Sequence, residues 1–281
     1  MTESDFQHPS EAKAPSAGVV LHSPQEKAEV AAFFDIDETL IRGASAYHVA
    51  KELYQRKFFG KRDLVFAARH ALLYRLLGED RTRIQNVIDR ALNVMAGRPA
   101  AELDEIATSL YQKIFSHRII PGTKEILDEH LRLGHEVWLI SATPIQVSTL
   151  LAERLEATGA LGTQVKIGED GKFLPELEGP IMHLKGKSMA ARALAHERGL
   201  DLDHSYAYGD SINDLPLLTT VGNPSAINPE PLLRIVALEK DWPIHSFRRR
   251  IDLKLIAKRT LKTALGTFFV SWLYRRFTTR H

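Results

Sequence analysis

The sequence predicts an α/β fold: a doubly wound parallel sheet, interrupted after its first strand by an inserted subdomain made only of helices. Three observations carry this. Short runs at Val30–Phe34, Glu136–Ile140 and Tyr206–Tyr208 are dominated by apolar residues, as strands covered on both faces are. The segments between the later runs repeat apolar residues at helical spacing, so the strands are joined by crossovers and pair in parallel. From about residue 44 to residue 118 the strand-like runs cease and only helical periodicity remains.

Residues 1–29 are rich in Ser, Pro, Ala and acids without a sustained apolar period, which reads as a mobile tail and not as a signal peptide. Val30–Phe34 ends in Asp35, the first strand of a core that spans 30–43 and 119–243. The insert, 44–118, places Val49 and Leu53, then Leu64, Ala67, Ala68, Ala71 and Leu72, then Ile84, Val87, Ile88 and Ala91 at helical spacing. Gly60, Gly78 and Gly97-Arg98-Pro99 divide it into four helices. The core resumes with a helix over Thr123–Leu133, a strand over Glu136–Ile140, a helix over Pro144–Ala157 capped by Thr143, and a strand near Val165. Asp170-Gly171 marks a hairpin turn. A helix over Lys187–Arg198, a strand over Tyr206–Tyr208, a helix over Ile212–Leu218 and a strand near Ser225–Ile227 complete it.

The chain has 281 residues, 44% hydrophobic and 26% charged, which excludes wholesale disorder. Without cysteine there is no disulfide framework, Cys-ligated metal or thiol nucleophile, which fits a reducing, cytoplasmic setting. The longest uncharged apolar run, Thr263–Tyr274, falls short of the ~18 residues of a membrane span. A formal net charge of +2 conceals an asymmetry: residues 248–281 hold ten Lys/Arg and one acid, +9, leaving −7 on residues 1–247.

Ligands of such sheets bind beyond the carboxyl ends of the strands, so the polar residues there are the candidates. Asp35 and Asp37 stand two apart on extended chain and face the same way. Carboxylates so close repel unless a cation lies between them or one holds a proton. Mg²⁺ suits such a site, and Asp210 can complete its set. A carboxylate can also act as a nucleophile and form an aspartyl phosphate. Ser141, beside a helix start, offers an anion seat, and Lys187 a cation. Ser211-x-x-Asp214 fits a capping box, which leaves Asp210 after Gly209 unexplained by capping alone. No Walker loop or Gly-x-Gly-x-x-Gly is present.

The set Asp35-x-Asp37-x-Thr39, Ser141, Lys187 and Gly209-Asp210-x-x-x-Asp214 resembles the four motifs of the haloacid dehalogenase-like (HAD) hydrolases, subfamily IB, in the branch similar to phosphoserine phosphatase. The resemblance spans roughly 30–243 and implies a Rossmann-like core with the helical insert as a cap. It implies Asp35 as nucleophile, Asp37 as general acid and then base, Asp35, Asp37 (through its carbonyl), Asp210 and Asp214 as the Mg²⁺ shell, and Ser141, Lys187 and Asn213 around the phosphoryl oxygens. Lys187 is preferred to Lys185 because its spacing of 23 to Asp210 is that of this branch. Where phosphoserine phosphatase has a glutamate nine residues after the nucleophile this chain has Ala44, which weakens phosphoserine as substrate.

The expected activity is Mg²⁺-dependent hydrolysis of a small phosphorylated metabolite or a phosphorylated lipid headgroup. The alternative is a membrane- or partner-binding relative with a vestigial site. The insert, at +5, and the basic amphipathic segment 244–281 suit an anionic substrate or surface. That segment either lies peripherally on the inner membrane face or packs on the core. Nucleic acid is not expected, because its aromatics form an apolar block apart from the basic residues.

Overall fold

The computed structural model describes residues 18–21, 28–60, 62–63, 66 and 81–247. Most of the expected second insert helix around Leu64–Leu72, most of the N-terminal tail and the amphipathic segment from Arg248 lie outside the described residues.

The sheet has seven strands: β1 (Gly18–Val20), β2 (Ala31–Asp35), β3 (Glu136–Pro144), β4 (Gly159–Thr163), β7 (Tyr206–Gly209), β8 (Asn223–Ile227) and β9 (Ile244–His245), in spatial order β1-β4-β3-β2-β7-β8-β9. All neighbours pair in parallel except β1, which runs antiparallel to β4 at one edge. The chain moves outward from β2 in both directions, so the expected doubly wound order is present. Its period of two is visible in β2 itself, where Ala32 and Phe34 enter one core cluster and Ala31 and Phe33 the other. The first is packed by α4 (Pro121–Arg132) and α5 (Ile145–Arg154), the second by α6 (Lys185–Arg198), the single turn α7 (Leu215–Leu218) and α8 (Pro231–Glu239).

Several expectations are corrected. Gly18–Val20, within the stretch read as a mobile tail, forms the edge strand β1, because Gly18 lets it approach β4: a Cβ there would meet Leu161 Cδ2 at 2.6 Å. The strand expected near Val165 is two elements. Gly159–Thr163 joins the sheet, while β5 (Val165–Ile167) and β6 (Phe173–Leu177) form the separate hairpin that Asp170-Gly171 signalled. Thr143 does not cap α5; β3 continues through Pro144 and the Thr143 hydroxyl is engaged elsewhere. The helix α8 and strand β9 went unread, since three exposed aliphatics on α8, Leu232, Ile235 and Leu238, blur its apolar face.

In the insert, the described helices are α1 (Ser45–Gln55), α2 (Arg81–Met95) and α3 (Ala100–Lys113). The β5–β6 hairpin braces them from the other side of the chain: Gly97 N donates to Phe173 O at 2.8 Å, Phe173 N to Arg98 O at 2.9 Å, and Phe173 is buried.

Two buried polar clusters fix the sheet. At the start of β3, Glu136 accepts from Arg198 Nε and Nη2, both at 2.7 Å, and from Trp138 Nε1 at 2.9 Å. This bidentate pair ties the end of α6 to the sheet and so helps to set where its first turn falls. Beneath β2 and β7, His130 Nε2 meets Tyr208 Oη at 2.8 Å and its Nδ1 meets His135 Nδ1 at 2.8 Å. Burial, with His135 adding to it, pushes the His130 pKa down to about 4. His130 is therefore neutral in the fold while an unfolded His, near 6.5, takes up a proton, and stability falls as the pH drops from about 6.5 to about 4. The contribution is about 3 kcal/mol. Thermal unfolding of the native chain and of His130→Gln at both ends of that window is expected to show the native advantage shrinking by this amount on acidification.

Candidate active site

The carboxyl edge of the parallel strands gathers side chains from four separated segments. Asp35 ends β2 and is buried. After it the backbone turns through Glu38 in the left-handed region (φ 55°), which brings the N–H groups of Leu40 and Ile41 onto Ile36 O, both at 2.9 Å. Beyond the turn, Ser45 begins α1, and its N–H donates to Asp37 Oδ1 at 2.7 Å. Burial pushes the Asp37 carboxyl up, and Ser45 partly offsets this.

Lys187 lies in the first turn of α6. Gly186 makes that turn possible, since a Cβ there would sit 1.8 Å from Ile181 O. The buried Lys187 Nζ donates to Asp35 Oδ1 and, at 2.6 Å, to Asp214 Oδ1. Asp214 closes the turn after β7, where Ser211 Oγ accepts from Asn213 N at 3.2 Å and Ser211 N donates to Asp214 Oδ2 at 3.3 Å. The capping box is thus present, and it also orients a carboxylate toward Lys187. Gly209 is required here, because a Cβ would lie 2.7 Å from Asp214 Cβ.

Carboxylate oxygens of Asp35, Asp210 and Asp214 lie within 4.8 Å of one another. Burial, then Asp214 and Glu38, push the Asp210 pKa up to about 7, and burial raises Asp35 well above the carboxylate range despite Lys187. Three crowded acids facing one ammonium leave a surplus of negative charge that a small hard cation relieves, so the donor set fits Mg²⁺.

Ser141 stands at the same edge, buried, donating to Thr143 Oγ1 at 2.9 Å and accepting from Thr143 N at 3.1 Å. Thr143 Oγ1 lies 2.5 Å from Ser45 Oγ, so a buried line of hydroxyls joins Ser141 to the start of α1. Of the sequence candidates, Asp35, Lys187, Asp210 and Asp214 form one cluster. The Asp37 carboxylate stands outside the cation group, held by Ser45. Among the described residues, no hydrogen bond joins the Asn213 side chain to the cluster; its backbone serves the turn.

Sequence reasoning missed Ser45, Thr143 in this role, and Glu230. Glu230 Oε1 accepts from Ile212 N at 2.7 Å and Ser211 Oγ at 3.3 Å, steadying the turn that carries Asp210 and Asp214. Its signal was present: an acid shortly after the apolar end of β8, the same placement that singled out Asp35 and Asp210.

Residues 32–219 match the family of haloacid dehalogenase-like hydrolases. A relative from Mycobacterium tuberculosis (strain ATCC 25618 / H37Rv), phosphoserine phosphatase SerB1, is 42% identical over 219 residues, covering 78% of this chain and 71% of that one. A histidinol-phosphatase of Neisseria meningitidis is 29% identical over 220 residues, covering 77% and 98%. In fold, the chain resembles a crystal structure of a protein of unknown function from Bordetella pertussis, with a TM-score of 0.69, 23% identity and coverage of 79% and 100%. The chain belongs to the haloacid dehalogenase-like hydrolases, in their phosphoserine-phosphatase-like branch. It is a phosphatase of that type, dependent on Mg²⁺ and working through an aspartyl phosphate. No helix among the described residues is long and apolar enough to cross a membrane.

Proposed function

We propose that the chain hydrolyses phosphate monoesters with Asp35 as the nucleophile, and that the convergence of Asp35, Lys187, Asp210 and Asp214 at one sheet edge carries this reading. Asp35, Asp210 and Asp214, with the Asp37 carbonyl, would hold Mg²⁺, which would supply positive charge for the phosphoryl oxygens. Ser141 Oγ and Lys187 Nζ bind those oxygens, and Asn213 borders them. Phosphoryl transfer needs mainly such positioning and charge neutralisation.

An Asp35 carboxylate oxygen bonds to phosphorus as the ester P–O bond breaks, and the leaving oxygen takes the proton of Asp37. Burial shifts the Asp37 carboxyl upward, which favours the protonated form that this donation needs. Water then attacks phosphorus, giving a proton to Asp37, and the P–O bond to Asp35 breaks to release phosphate. Residues 44–118 act as the cap over this site, with 30–43 and 119–243 as the catalytic core. The substrate is a small phosphorylated metabolite or the phosphorylated headgroup of a lipid.

The test is quenched-flow labelling with an aryl phosphate carrying ³²P, whose leaving group needs little protonation. Asp37→Asn is expected to accumulate hydroxylamine-sensitive label on Asp35, because the base for the second step is gone; no label in either the native chain or this variant overturns the assignment. Chelation of Mg²⁺ is expected to abolish turnover. Restoring the ion at about 100 times its Kd is expected to add about 2.7 kcal/mol of stability, and Asp210→Ala is expected to lose most of that gain in a thermal shift assay.

A further inference from the structure

An open cleft of ≈ 280 Å³ lies between α1, α2 and the end of β3. Val49, Leu53, Phe59, Val94 and Ala142 are among the residues that line it. It lies beside the catalytic edge. Thr143, which lines it, bonds Ser141 at 2.9 Å, and Ala46, another lining residue, follows Ser45, whose N–H holds Asp37. The cleft thus lies next to the edge at which an ester oxygen would receive the Asp37 proton.

The charged lining residues among the described ones are Asp63 and Arg90, which pair with each other, while the remaining N–H groups of Arg90 stay half exposed. Arg90 Nε donates to Asp63 Oδ1 at 2.8 Å, its Nη2 donates to the same oxygen, and Gly60 N donates to Asp63 Oδ2 at 2.8 Å. The Thr143 hydroxyl is committed to Ser141 and Ser45. Among the described residues, a zwitterionic or polyhydroxylated leaving group entering here would lose water and find few partners beyond the outer N–H groups of Arg90. An apolar group loses nothing and gains burial.

Resting on the phosphatase reading above, we propose that the substrate's leaving group is an apolar alcohol seated in this cleft: the enzyme acts on alkyl or aryl phosphate monoesters in preference to phosphorylated amino acids. A cavity of roughly 150 Å³ holds a benzene ring, so this one takes an apolar group of about eight to ten carbons.

The experiment measures kcat/KM with Mg²⁺ for methyl, butyl, hexyl, octyl and dodecyl phosphate, O-phosphoserine and histidinol phosphate. The expected result is a rise of about fourfold per methylene that levels off near octyl, with both amino-acid-derived esters at or below methyl phosphate. Ala50→Trp and, separately, Ala91→Trp place an indole in the cleft. Both are expected to flatten the chain-length series while leaving methyl phosphate turnover within about twofold, which also reports that each variant is folded. A flat series in the native chain, or O-phosphoserine turned over faster than octyl phosphate, overturns the apolar leaving group while the phosphatase reading stands. Absence of Mg²⁺-dependent turnover with every ester overturns both.

Discussion

Asp35→Asn is expected to lower kcat on any phosphate monoester by about 10⁴-fold or more, without lowering the Mg²⁺-free melting temperature. Loss of activity follows because the amide has no charge with which to attack phosphorus, and no neighbour replaces it: the Asp214 carboxylate is engaged by Lys187 and the Ser211 N–H. Retained stability follows from burial. Desolvation, aided by Asp214 and Asp37, already disfavours a charge on Asp35, so a neutral side chain of the same shape removes that penalty and its oxygen still accepts from Lys187 Nζ. Stabilisation by Mg²⁺ should shrink in the variant, since one donor of the group loses its charge. Steady-state turnover and thermal unfolding with and without Mg²⁺ check both halves; activity within tenfold of the native chain would exclude Asp35 as nucleophile.

Lys187→Met has the opposite signature. Its ammonium stands buried between Asp35 and Asp214, and those carboxylates raise its pKa against the burial that opposes them. Removing one partner of a buried charge cluster typically costs about 3 to 5 kcal/mol, because the remaining charges are left without compensation. The Mg²⁺-free variant is expected to unfold at a correspondingly lower temperature, with the deficit growing as pH rises and the orphaned carboxyl groups are forced to ionise. Saturating Mg²⁺ should recover part of the stability by supplying positive charge at the same edge. It should not recover kcat, which is expected to stay about 10² to 10³ lower, the usual cost of removing one donor to a developing anion. Equal losses of stability with and without Mg²⁺ would mean that the lysine and the cation do not share one cluster.

The different fates of Asn213 and Glu230 show how far sequence reasoning reached. Asn213 entered through the spacing of a motif, yet its backbone completes a turn and its side chain makes no hydrogen bond to the cluster. Glu230 was passed over, though it holds that turn from the far side of β8. Spacing along one segment says which residues share a turn, but not which residue of another segment meets it.

By itself the sequence determined the architecture and the chemical class. Runs covered on both faces, helical crossovers and acids at strand ends are local properties, written in the periods of two and 3.6 and in the choice of residue after each run. Asp35 and Asp210 were legible because each follows an apolar run, and Lys187 and Asp214 through the spacing of the motifs that resemble the family's. Only the tertiary structure decided what depends on distance between elements: that Lys187 bridges Asp35 and Asp214, that Ser45 of the insert holds Asp37, that Gly18–Val20 closes a sheet edge, and that an apolar cleft opens beside Thr143. Desolvation and close packing arise when segments far apart in the chain meet, and no window of sequence contains both sides of such a contact.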